Sequence, residues 1–125
     1  MLSDGTRSLA LFDALPDLLS LARRRSVDDV YDLQEKLRRE YRSRGDAIKW
    51  SMPLRHFRQC EVCGAKGAEI KYELENSKAR EGAAAVQLYE SEVHRVREHG
   101  EDFSSPVMHF FDELVRTSAD LLRTR

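Results

Sequence analysis

Apolar residues recur along this chain at two different periods. Leu9, Leu11, Phe12, Leu15, Leu18, Leu19, Leu21 and Ala22 fall at three- and four-residue steps, which predicts helix. Pro16 interrupts them. The pattern therefore predicts a short helical turn before the proline and a helix over about 15–24, with Pro16 in its first turn. Arg23-Arg24-Arg25 then falls at the helix C-terminus, where cations complement the dipole. Ser26 followed by Asp28 and Asp29 signals a second start. Val27, Val30, Leu33 or Gln34, Leu37 and Tyr41 continue it, and Gly45 ends it. Lys36, Arg38, Arg39, Arg42 and Arg44 make this helix basic. They interleave with Asp28, Asp29, Asp32, Glu35 and Glu40, so its outer face reads as salt-bridged and solvated.

From Ala47 the period drops to two. Ile48, Trp50 and Met52 alternate in a short strand that Pro53 should end, with Trp50 as a core anchor. Ile70, Tyr72 and Leu74 alternate with Glu69, Lys71, Glu73 and Glu75. A polar turn over 76–82 follows, then Ala84, Val86 and Leu88. These read as a hairpin with one buried and one wet face. Ser91 is positioned to cap a helix carrying Val93, His94, Val96 and His99, stopped by Gly100. Ser104-Ser105-Pro106 opens the last helix, over 104–123. It buries Val107, Phe110, Phe111, Leu114, Val115, Ser118, Leu121 and Leu122, the strongest amphipathic pattern present. The expectation is an α+β fold in one domain, 1–125, predominantly helical. Residues 8–45 form N-terminal helices, 47–100 a knuckle, hairpin and histidine helix, and 104–123 a C-terminal helix.

Composition narrows the functional classes. At 125 residues the chain is long enough for a modest core without staples, and 34% charged residues make its surface strongly polar. The formal net charge is -1, so no global positive field draws in nucleic acid, and binding of that kind needs a local basic patch. The start, Met1-Leu-Ser-Asp-Gly-Thr-Arg, lacks the pattern of a secretory signal, and no apolar run is long enough to span a membrane. The cytoplasm is the expected location. Two cysteines at C-x2-C spacing exclude a disulfide framework and point to metal or redox chemistry.

The candidate chemistry lies in Cys60-Glu-Val-Cys63-Gly and, thirty-one positions beyond Cys63, in His94-Arg-Val-Arg-Glu-His99-Gly. Two thiolates and two imidazoles are the donors of a closed tetrahedral Zn2+ site. Gly64 lets the backbone fold back so that its amides face the sulfurs. On an ideal helix His94 and His99 diverge by about 140°, so the final turn must tighten or unwind to aim both at one ion. His56 lies close enough to Cys60 to replace one helix histidine but ranks below it, and His109 is expected to be packed or exposed within the last helix. A knuckle, a hairpin and a histidine-bearing helix resemble the ββα arrangement of a C2H2 finger, over roughly Phe57 to Gly100. Such fingers place about twelve residues between the second Cys and the first His. The longer interval here departs from that and does not carry over a DNA-reading helix.

Four protein ligands leave no open position for a reacting water, so the expected role is structural. The primary reading is a non-catalytic zinc module that engages a protein partner or another copy of itself. The second is nucleic-acid binding through Arg55, Arg58, Lys66, Arg95 and Arg97, countered by Glu92, Glu98, Glu101 and Asp102. The third is thiol redox by Cys60 and Cys63, which requires the pair to open a helix after a strand. No H-E-x-x-H, deaminase signature, Gly-rich phosphate loop or calcium loop is present, and no small-molecule substrate suggests itself. Catalysis is therefore the minority reading.

Overall fold

The structure, a computed structural model, describes residues 4–24, 29–45, 47–79 and 85–117. The elements run α1 (Asp4–Ala14), α2 (Leu18–Arg23), α3 (Val30–Arg44), β1 (Ala47–Gln59), β2 (Lys66–Asn76), β3 (Ala85–Tyr89), α4 (Glu90–His99) and α5 (Ser105–Thr117). Among the described residues this is an α+β fold with five helices and one three-stranded antiparallel sheet in the order β1-β2-β3.

The N-terminal helices differ from expectation at their starts. What precedes Pro16 is an eleven-residue helix, and Pro16 lies outside α2 altogether. Asp17 is the N-cap, accepting the N–H of Leu19 at 3.0 Å, while the Pro16 carbonyl accepts the N–H of Lys49 at 2.9 Å. A proline that cannot donate still accepts, so it joins α2 to the sheet. Asp29 caps α3 by accepting from Asp32 N–H at 3.1 Å. Ser26 and Arg25 lie outside the described residues, as do Ala84, Ser118, Leu121 and Leu122. Gly45 ends α3 as expected, with φ 74° and its N–H on the Arg42 carbonyl.

The largest departure is in the sheet. Pro53 does not end β1, which continues for six more residues to Gln59. The ladder slips register between Pro53 and Phe57, and β1 is an edge strand, the setting in which a missing N–H is tolerated. The turn containing Cys60 and Cys63 therefore joins β1 to β2. The expected hairpin is present as β2–β3, but the Cys60–Cys63 turn is the tip of a longer hairpin rather than a prelude to one.

Pairing of Ile48 with Glu75 and of Lys49 with Leu74 sorts the sheet into two faces. Tyr72, Leu74 and Leu88 pack with Leu11, Phe12, Val93, Phe110, Phe111 and Leu114 of the helices. Each such buried Leu or Phe contributes about 1.5–3 kcal/mol. Ile48 on the other face packs with Leu18, Ala22 and Leu37, and half-buried Trp50 joins that cluster beneath the Arg38 guanidinium, 5.1 Å from its ring. Beside them Glu75 receives Arg38 and Arg42. The alternation of 48, 50 and 52 is only partly a core signal. Met52 is exposed, while Lys49 is buried, its Nζ donating to the Phe12 carbonyl at 3.0 Å.

The meander sets the position of α4. β3 leaves the sheet at Tyr89, opposite Lys71, five residues short of the start of β2 at Lys66. Those five strand residues span about 17 Å, and a ten-residue helix is about 15 Å long. A helix continuing in the direction of β3 therefore brings its C-terminal end to the knuckle.

Candidate metal centre

Cys60 closes a tight loop. Its N–H donates to the Ala65 carbonyl at 2.9 Å and its carbonyl accepts from Gly64 N–H at 2.8 Å. Gly64 adopts φ 74°, a left-handed conformation that a side chain would strain. Cys60 is buried and Cys63 exposed at this tip. The Cys60 thiol is pulled down to about 6, chiefly by the N–H of Cys63. Burial opposes this, while the Val62 N–H, the Cys63 thiol and His99 add to it. The loop thus favours a thiolate, the form that binds metal.

α4 is fixed at both ends. Its N-cap residue, Tyr89, makes no side-chain cap bond. Ser91, expected as the cap, instead lies inside the helix, and its N–H is taken by the buried Glu69 of β2 at 3.1 Å. A carboxylate there also complements the helix dipole. Tyr72 Oη donates to Glu90 Oε2 at 2.5 Å, and this partner together with burial, the larger cause, raises the phenol above its ordinary range. Arg97 forms a two-pronged pair with Asp13 at 2.9 and 3.0 Å, tying α4 to α1.

At the C-terminal end Gly100, φ 67°, sends its N–H back five residues to the Arg95 carbonyl. Glu101 N–H reaches the same carbonyl at 3.3 Å. The closing turn is widened, the unwinding and not the tightening of the two expected alternatives. A wider turn rotates less per residue, which reduces the divergence between positions five apart. The rings of His94 and His99 consequently lie 5.2 Å apart, at 74° to one another.

Cys60 Sγ lies 3.4 Å from His99 Nε2, and Cys63 Sγ lies 3.4 Å from His94 Nε2. All four donor atoms lie within 4.8 Å of one another. Tetrahedral zinc with ordinary bond lengths separates sulfur from nitrogen by roughly 3.5 Å, so both pairs have the edge length the ion requires. Among the described residues this is the only group of three or more His, Cys, Asp or Glu close enough to hold a metal ion. His56 is exposed on β1 and outside the group, and His109 is exposed on α5.

Other candidate residues are placed differently. Arg97 and Arg95 are engaged by Asp13 and by Glu101, the latter at 3.5 Å. Arg58 lies over Gly67, its guanidinium 3.2 Å from where a side-chain carbon would stand. The residues after Cys63 enter a strand and not a helix, so the pair lacks the helix N-terminus of a thiol-redox site. Sequence reasoning missed Glu69, Tyr72 and Arg97 as residues that position α4. Glu69 sits in the wet half of an alternation and carries no signal of its role. No helix among the described residues is long and apolar enough to cross a membrane. Comparison with protein families, curated proteins and solved structures finds no match to this chain, so the reading of the cluster stands on its geometry.

Proposed function

We propose that the protein is a small non-catalytic zinc module in which Cys60, Cys63, His94 and His99 hold one Zn2+ and clamp the β1–β2 tip to the end of α4. The observation that carries this reading is the convergence of four soft-to-borderline donors, from segments thirty-one residues apart, to within 4.8 Å. With every ligand supplied by the chain, no coordination position is left for a reacting water, and the metal acts as a fastener. Its product is a rigid tip that presents exposed Phe57 and Val62 beside the ion. The apolar faces of α1 and α5 are spent on the core, so we assign contact with a protein partner or a second copy to that tip.

The test is element analysis of protein purified without added metal, with thiol titration before and after a chelator. One zinc per chain and two thiols released only by chelation is the expected result. Metal-free protein with freely reactive thiols overturns the proposal. Nucleic-acid binding remains the second reading, favoured by Arg58, whose Nε and Nη1 are buried without hydrogen-bond partners near Lys66. Binding of single strands that falls steeply with salt supports it, and its absence removes it.

A further inference from the structure

Away from the metal cluster, α2, α3 and β1 enclose a groove of about 420 Å3, within the size range of small-molecule sites. Leu19, Trp50, Met52 and Pro53 give it apolar walls, and Tyr31 lies at its rim, three-quarters exposed. Gln34 lines it too, at 1% exposure, and its Oε1 is buried without a hydrogen-bond partner. A buried carbonyl left unpaired costs stability, and a donor arriving from the groove removes that cost. Ser51, the other uncharged polar side chain of the lining after Tyr31 and Gln34, is already committed, its Oγ donating to Asp17 Oδ2 at 2.6 Å. Arg23 is exposed at the mouth and supplies a positive charge.

We propose that this groove binds a free planar aromatic carboxylate that carries an N–H or O–H donor on the end remote from its acid. The donor meets Gln34 Oε1, the ring lies against Trp50 and Leu19, and the carboxylate faces Arg23. This site is separate from the metal reading and does not depend on it.

The experiment uses the full chain, labelled with 15N, titrated with 6-hydroxy-2-naphthoate and separately with its methyl ether, 6-methoxy-2-naphthoate. Trp50 is the single tryptophan, so its indole N–H resonance reports the groove without ambiguity. Saturable shifts at Trp50 and the Gln34 side-chain amide are expected, with the ether weaker by about five- to tenfold, the worth of one buried hydrogen bond. Gln34→Leu should abolish the preference between the two probes, and Arg23→Gln should weaken both alike. Equal affinity of wild-type protein for the two probes overturns the proposal without recourse to any variant. So does a lack of saturable shifts up to millimolar probe, or shifts confined to another surface.

Discussion

Glu69 Oε1 accepts the backbone N–H of Ser91 at 3.1 Å, so a strand side chain caps the helix that carries both histidines. The same oxygen takes the N–H of Ile70 at 3.3 Å. Glu69→Ala leaves a helix N–H at the sheet edge without its partner. Loss of such a cap costs about 1–2 kcal/mol. Urea denaturation of the zinc-loaded protein should show that loss. A chromophoric-chelator competition should show weaker zinc binding as α4 loosens, with Glu69→Gln partly restoring both. Unchanged zinc affinity in the alanine variant would mean that α4 is held by Tyr72 and Arg97 alone.

Gly64 and Gly100 flank the Cys60, Cys63, His94 and His99 group with φ of 74° and 67°, and a side-chain carbon built on either meets nothing within 4 Å. Substitution by alanine therefore incurs conformational strain without steric collision. Each of Gly64→Ala and Gly100→Ala should cost about 1 kcal/mol. Both changes act on the frame of a ligand, so zinc affinity should fall as well. A stability change much larger than this would indicate that the loop is packed and not open.

Chelation should leave the domain folded. Leu74, Phe110, Phe111 and Leu114 are fully buried in a cluster that holds none of the four donors. Treatment with EDTA should lower the thermal midpoint and broaden amide resonances over 57–68 and 94–101. Resonances of the α5 core should keep their dispersion. Global unfolding on chelation would contradict this division.

The chain's chemistry was easier to read than its strand pairing. The C-x2-C and H-x4-H spacings identify a donor set because few other roles combine those residues, and Val107, Phe110, Phe111 and Leu114 announce α5 by period alone. Pro53 misleads because an edge strand with a register slip beside the proline tolerates a missing N–H, and both are properties of the whole sheet. Lys49 misleads in the same way. Its ammonium finds the Phe12 carbonyl 37 residues away, and its lowered pKa, due first to burial, follows from packing that no local pattern encodes. The widened turn at Gly100 is equally invisible, although the need for some departure from ideal helix was legible in the histidine interval.

Glu75 gives a pH signature. Burial pushes its carboxyl up, but the hydrogen bonds and charges of Arg38 and Arg42 outweigh that and hold it below its ordinary value. The unfolded chain therefore binds this proton more readily than the folded one. The associated stability is fully present above the ordinary carboxylate range and is lost as pH falls through the lower folded value. Glu75→Gln should cost about 1–2 kcal/mol at neutral pH and flatten the acid limb of the stability profile. An acid limb unaltered in that variant would assign the titration to other carboxylates.

The β1–β2 ladder and the Glu69 cap hold the two donor pairs near one another through contacts that involve no ligand atom. Much of the conformational cost of bringing Cys63 and His94 together is thus met by the fold, leaving an ion to fix the final positions of the two segments. A metal ion bound at these donors would meet a largely preorganised cradle, so its binding energy would not be consumed in assembling a domain, and loading and release would proceed on an intact scaffold.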